Sequence, residues 1–306
     1  MDYTVNTAVK TADINTAETQ AFNREEWFRQ KNAERESAYR MMDEMADLIK
    51  NRTGDLRNFL DLMIQFPRHS VGNLILIAAQ MPDATDLREF NEWKGLGTSI
   101  KKGQTGIMLL EPGKEFTRSD GTSGMRYNVK RVFDIKQTRA LSNPPVPFPF
   151  LPQPLLAALY NDPVCGVEVD GTMTGTKGDD AVYDPEKGVI RVAKVNRMSS
   201  LIVPLARETA KAYLCSGDSV PEHADEMALC VSYVFCKRKG ADVSNIDLSA
   251  VRDGIKDLNA RQIRRMMDKV KDVASAMREQ MNRYFREQKE QREAQQEKEA
   301  ESELEI

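Results

Sequence analysis

An α+β fold is what this 306-residue sequence predicts, and three features of its pattern predict it. Apolar residues first recur at the helical spacing of three and four, then switch near residue 100 to the alternation of β-strands. Six prolines fall within residues 143–154 and divide the chain. Beyond them short strand-like runs precede two helical ones, the order of an α+β unit rather than of repeated βαβ units.

The elements follow in order. Residues 1–20 are polar and aperiodic and read as a lead-in. A first helix opens on a capping box, Asn23 with Glu26, and carries Trp27, Ala38, Met41, Met42, Met45 and Leu48. Residues 51–54 break it. A second helix places Leu56, Phe59, Leu60, Met63 and Ile64 inward. Ser70 caps a third, apolar all round at residues 74–77 and therefore central to a core. Thr85 or Asp86 is expected to open a fourth through Phe90 and Trp93, stopped by Gly95 or Gly97.

Residues 107–110 are a short apolar strand. In residues 125–135, Tyr127, Val129 and Phe133 alternate with Arg126, Asn128 and Lys130, and Asp120-Gly121 between the two runs marks a hairpin. The first domain, 21–140, is thus helices packed on a small antiparallel sheet. Residues 141–154 cannot form a helix interior or a central strand and read as a linker. In the second domain, 155–245, a helical turn leads into strands at 164–169, 180–183 and 188–193. Two packed helices follow: one over 200–215, the other opened by Ser219 and Glu222 and closed by Gly240. Residues 246–306 read as a charged helical tail, almost purely polar after Arg286.

Composition removes several function classes. A net charge of −3 excludes a uniformly basic nucleic-acid binder, and two histidines leave little material for a histidine-rich metal site. The four cysteines, Cys165, Cys215, Cys230 and Cys236, lack C-x-x-C spacing and read as free thiols of a reducing compartment. No apolar run reaches bilayer length, and the N-terminal residues have no signal-like apolar core, so a cytoplasmic protein without a membrane partner is expected.

Charge is unevenly placed, however. Residues 94–140 hold ten basic and four acidic residues, +6 within a chain of −3. Trp93, Phe116, Tyr127 and Phe133 are interleaved with them and could stack on unpaired bases. The same composition also suits a hairpin with a solvated charged face and its aromatics in the core. Lys101 and Lys102, a double lysine in a glycine-rich turn, have little packing to do and are the strongest contact candidates.

Several motifs occur in order here: Ser70-Val71-Gly72-Asn73 leading into Leu74-Ile75-Leu76-Ile77, then Gln80-Met81-Pro82-Asp83-Ala84-Thr85, Trp93-Lys94, Lys101-Lys102-Gly103-Gln104-Thr105-Gly106-Ile107, and Phe133-Asp134-Ile135-Lys136-Gln137-Thr138. This order resembles the N-terminal domain of the ArdC antirestriction family, carried by plasmids, phages and conjugative elements. The resemblance implies single-stranded DNA binding without sequence preference. Together, the motif positions and the basic region nominate Asn73, Gln80, Trp93, Lys94, Lys101, Lys102, Arg126, Tyr127, Lys130 and Lys136 as nucleic-acid contacts. Asn73 equally suits a buried backbone partner, and Trp93 the core.

The family's C-terminal domain is zincin-like, with H-E-x-x-H on a helix. Two imidazoles one turn apart hold zinc there, and the glutamate activates bound water. The corresponding stretch here is Leu205-Ala206-Arg207-Glu208-Thr209-Ala210-Lys211. Glu208 keeps the general-base position while Arg207 and Lys211 stand at the ligand positions, and neither cation ligates zinc at neutral pH. Zinc lowers the pKa of its water from 15.7 to about 7, worth on the order of 10 kcal/mol, and Glu208 alone offers nothing comparable.

No catalytic residue, metal or cofactor is therefore assigned. Arg207 and Lys211 are expected to replace the metal's charge, pairing with Glu208 or with Glu222 and Glu226. The expected function is non-sequence-specific single-stranded DNA binding by an antirestriction-like accessory protein, with a protein partner at the C-terminal domain or tail as a further possibility. The alternatives are a metallopeptidase with atypical ligands and an interaction scaffold.

Overall fold

The computed structural model describes residues 24–140, 150–173, 180–195, 198–217 and 220–304. The expected lead-in, the Asn23 cap, most of the linker and Ser219 lie outside them. The architecture is α+β, with nine helices and two three-stranded sheets among the described residues.

Helices α1 (Arg24–Asn51), α2 (Thr53–Gln65) and α3 (Val71–Gln80) pack around one another. Ala38, Met42, Met45, Ala46 and Ile49 form the buried stripe of α1, whereas Trp27 is exposed. Ser70 caps α3 as expected, its hydroxyl accepting from the Asn73 amide N–H at 3.3 Å. All four residues 74–77 are buried.

The next cap lies elsewhere than expected. Thr85 and Asp86 open no helix, because their N–H groups donate to the buried Asp134 carboxylate at 2.6 and 2.9 Å. Leu87–Arg88 forms strand β1, and Glu89 caps the short helix α4 (Phe90–Gly95) in a capping box with Glu92. Strands β2 (Ile107–Thr117) and β3 (Ser123–Asp134) make the expected hairpin, and the sheet order is β1-β3-β2, all antiparallel. Val132 and Asp134 are the buried side chains at the base of β3; Tyr127 is exposed, and Val129 and Phe133 are half-buried. The ribbon's distal half is mostly solvent-exposed, with Arg35 of α1 reaching the Tyr127 carbonyl at 3.4 Å, and a register shift between Pro112 and Glu115 bends it.

Helix α5 (Pro152–Tyr160) follows, then β4 (Gly166–Asp170), β5 (Ala181–Asp184) and β6 (Val189–Ala193) in the order β4-β6-β5. The β4–β6 pair is parallel and the β5–β6 pair antiparallel. Helix α6 (Ile202–Cys215) packs on this sheet, and helix α7 (Ala224–Arg238) packs on α6. Helix α7 begins after His223, which sits in left-handed backbone at φ 62°, rather than near Ser219. Gly240, at φ 76°, closes it.

The C-terminal part departs most from expectation. After α8 (Leu248–Ile255), helix α9 (Ala260–Leu304) is no solvated tail over its first half. Ile263, Met266, Met267, Val270, Val273, Ala274, Met277 and Met281 are buried against α1, α3, α5, α6 and α7. Their spacing of three and four forms a stripe that the helix's many charges conceal in any average. From Arg286 on, the described side chains are nearly all exposed.

One apolar core runs through the segments on both sides of residues 141–149. Helices α2 and α7 pack together, and Asp61 accepts from the Tyr233 hydroxyl at 2.9 Å and the Lys237 ammonium at 2.7 Å. Lys50 reaches the Leu258 carbonyl at 2.9 Å.

Candidate nucleic-acid interface

Strand β2 is an edge strand, so one side of its backbone needs partners from outside the sheet. Helix α3 supplies them. The Asn73 amide donates to the Leu110 carbonyl at 2.9 Å and accepts its N–H at 2.8 Å. Gln80, two turns on, treats Met108 likewise at 3.0 and 2.8 Å. The two side chains act as a short extra strand, and their amide groups are committed to the fold.

Trp93 is equally committed. It is 3% exposed, its indole N–H donates to the Phe133 carbonyl at 2.8 Å, and Arg88 lies over its ring. Gln137 donates to the Thr105 carbonyl and accepts the Asp134 N–H, fixing the loop that precedes β2. The structure thus gives these four motif residues framework contacts.

The nominated cations divide by partner. Lys130 pairs with Glu89, which first and foremost raises its pKa, with Glu111 further off at 3.9 Å. Lys136 pairs with Asp83 at 2.7 Å, and that bond holds the Asp83 carboxyl below its ordinary value. Lys94, Lys101 and Lys102 are exposed and join no ion pair among the described residues. Lys101 donates to the Lys136 carbonyl at 2.8 Å, and its own N–H donates to the Gln137 carbonyl at the same distance. Gly103, at φ 81°, turns the chain just beyond this pair. Arg139, which the sequence counted without nominating, donates its backbone N–H to the Ser99 carbonyl and so belongs to the same loop pair.

Arg126 and Tyr127 lie elsewhere, on the distal half of the ribbon. Arg126 and Arg118 lie over the Phe116 ring at 5.3 and 5.8 Å, and Phe116 and Tyr127 are each 37% exposed. This arm is close to electrically neutral, since Glu111, Glu115 and Asp120 offset its cations. At ~3.3 Å per strand residue, the β2 residues between the lysine loop and the hairpin tip span roughly 30 Å. Sequence proximity suggested one basic constellation; the fold makes of it a cationic loop and a distant aromatic arm.

The second nominated cluster lies on α6. Glu208 is 4% exposed, and both its oxygens are used. One accepts the Tyr183 N–H at 2.9 Å, on the outer edge of β5; the other accepts from Arg207 Nε at 2.7 Å. Arg207 pairs with Glu208 as expected. Lys211, in contrast, pairs with Asp225 at 2.5 Å rather than with Glu222 or Glu226, because Asp225 in the first turn of α7 faces it. Burial works against the Lys211 charge, but Asp225 and Glu208 outweigh it and its pKa stands above the ordinary value.

Zinc does not fit this arrangement. Two cations occupy the ligand positions of the motif, and no group of three or more His, Cys, Asp or Glu among the described residues could hold a metal ion. Cysteine chemistry is likewise disfavoured: burial pushes the Cys165, Cys230 and Cys236 thiols up to about 12, and raises Cys215 too. No helix of the described residues is long and apolar enough to cross a membrane.

No protein-family model matches the sequence, and no curated protein does. Among solved structures, the chain is similar to the antirestriction ArdC protein from R388 plasmid in its metal-free form, with 15% identity and a TM-score of 0.47 over 69% of this chain and 85% of that one. It is also similar to the Mn(II)-bound form of that protein, with 15% identity and a TM-score of 0.48 over 69% and 84% of the two chains. These neighbours come from the family whose motif order the sequence resembles.

Proposed function

We propose that this protein is an antirestriction-like accessory protein that binds single-stranded DNA without sequence preference, and that its zincin-like segment is not a peptidase. The observation that supports the first part best is the loop pair carrying Lys101, Lys102 and Arg139, with Lys94 exposed on the short helix α4 before it. Framework hydrogen bonds hold its backbone, the Lys101 ammonium among them through the Lys136 carbonyl, and none of the four cations has a carboxylate partner among the described residues. An exposed cation without a carboxylate partner has the most to gain from a phosphate, whereas Lys130 and Lys136 would first have to leave Glu89 and Asp83. The arm then offers Phe116 and Tyr127 to bases; each stacked base contributes roughly 1–3 kcal/mol whatever its identity.

The second part rests on Glu208. A general base needs a free oxygen facing a water, and here Tyr183 and Arg207 hold both. Arg207 and Lys211 fill the place of a divalent charge with fixed ammonium and guanidinium charge, which keeps α6, α7 and β5 together without metal. Segments 21–140 and 155–245 serve as the strand-binding and the peptidase-like parts, and the apolar core they share supports their acting as one body.

Titration of a single-stranded oligonucleotide at several salt concentrations tests the DNA reading. Each phosphate contacted contributes a log–log slope of about −0.7, so K94Q/K101Q/K102Q is expected to flatten the slope by about 2. An unaltered slope, or no binding at low salt, rejects it. Zinc bound in stoichiometric amount after purification rejects the second part.

A further inference from the structure

Outside both clusters, three cations converge where α7 ends against the middle of α9. Arg238, Lys239 and Arg278 line one depression together with Met63 and Pro67. Each is half-buried, and none has an ion pair among the described residues. Arg238 reaches the Ile64 carbonyl at 3.4 Å. Lys271 borders the depression too, but Asp268 on its own helix lies within electrostatic reach, so it is not counted. Burial first, then the neighbouring arginines, holds Lys239 below its ordinary pKa; burial and Arg278 do the same to Arg238. Like charges gathered in a recess without an acid are costly unless an anion joins them.

Arg238 and Lys239 are also the polar wall of a second, larger cavity of about 470 Å³. Leu151, Pro154, Leu155, Met281 and Phe285 line the rest of it. That volume lies within the range of small-molecule sites, and so does its make-up, mostly apolar with a few convergent charged groups. A ligand matched to both recesses would have an anionic end and an apolar body.

Charge count separates the candidates. Three cations exceed what one carboxylate neutralises, whereas a phosphomonoester carries a charge of about −1.5 to −2 and takes several donors at once. Phe285 gives the cavity an aromatic side chain, which suits a planar base better than a flexible chain. We propose that this is a nucleotide site, with a phosphomonoester among Arg238, Lys239 and Arg278 and the base in the adjoining cavity. It is separate from the lysine loop, and the phosphomonoester can belong to a free nucleotide or to the end of a strand.

Isothermal titration of the full-length protein with dAMP, deoxyadenosine and inorganic phosphate tests this. dAMP is expected to bind at least tenfold more tightly than either of the others. R278Q and K239Q should each weaken dAMP on the order of tenfold, the effect of losing one charge-assisted hydrogen bond. Neither should lower the thermal unfolding midpoint, because each relieves like-charge crowding; circular dichroism confirms folding, and the two variants check one another. A preference for a 5′-phosphorylated over a 5′-hydroxyl oligonucleotide, erased by R278Q, assigns the site to strand ends. dAMP binding without that preference assigns it to free nucleotides. Absence of dAMP binding, equal binding of deoxyadenosine, or unchanged dAMP affinity in both variants overturns the site. K94Q/K101Q/K102Q should leave dAMP affinity unchanged, so failure of the strand-binding reading shows separately.

Discussion

Glu208 is where a structural and a catalytic role predict opposite outcomes. In E208Q the amide oxygen can still accept the Tyr183 N–H, which meets the carboxylate at 2.9 Å in the parent chain, but the pair with Arg207 loses its negative charge. Removing one partner of a fully buried pair costs about 3–5 kcal/mol. The Arg207 side chain is 29% exposed and recovers part of its hydration, which brings the expected loss to about 2 kcal/mol. E208A additionally leaves the Tyr183 N–H on the β5 edge without this acceptor, adding roughly 1–2 kcal/mol. If the pair acts as a unit, R207M/E208Q should be less destabilised than the two single changes combined, by at least ~1 kcal/mol. Urea unfolding monitored by circular dichroism gives all four values. E208Q as stable as the parent chain, yet lacking a peptide-hydrolysing activity that the parent shows, would refute the reasoning: the carboxylate would then be reserved for chemistry.

Three other expectations follow from the same contacts. N73A and Q80A should each cost about 1–2 kcal/mol in urea unfolding, because each leaves a β2 peptide group without its partner, while oligonucleotide affinity of the folded fraction stays unchanged; weaker binding at undiminished stability would return both residues to the interface. Burial raises the Asp162 pKa against the lowering effect of its bonds from Val164 and Tyr213. A carboxyl whose folded pKa is raised stabilises the protein below its unfolded value and loses that contribution as pH climbs through the folded value. D162N should therefore raise the thermal midpoint at pH 7 relative to its effect near pH 3, and the reverse order would contradict the burial. Deleting residues 286–306 should leave urea stability within ~0.5 kcal/mol of the parent, since the buried stripe of α9 ends at Met281 with Tyr284 and Phe285 packed beside it, whereas ending the chain before Ile263 should prevent folding altogether.

Local signals were legible wherever the forces are local. Ser70 and the run after it give α3, and the alternating residues around Asp120-Gly121 give the hairpin. The α4 cap was not legible, because the acceptor for Thr85 and Asp86 is Asp134, almost fifty residues later. In α9 the sequence shows the helix and its exposed end after Arg286 but not the burial of its first half, because charge dominates the average while the stripe decides the burial. In the candidate interface, residue type could nominate Asn73, Gln80 and Trp93 but could not say whether an amide or indole meets backbone or ligand; that depends on β2 being an edge strand. Pairing of Lys130 and Lys136 was hidden for the same reason, since Glu89 and Asp83 lie far from them in sequence. The Arg207–Glu208 pair was legible as neighbours, and Asp225 as the partner of Lys211 was not.

The core that continues across the proline-rich stretch has a consequence for how this chain can be cut. Asp61, on α2, holds Tyr233 and Lys237 on α7, and α9 lies against α1 and α3. A break in the backbone between Ala140 and Phe150 would therefore not liberate two independent pieces. Each would carry a wide oily face whose natural cover is the other, so the two would stay married after cleavage and, made as separate polypeptides, would reassemble only when produced together.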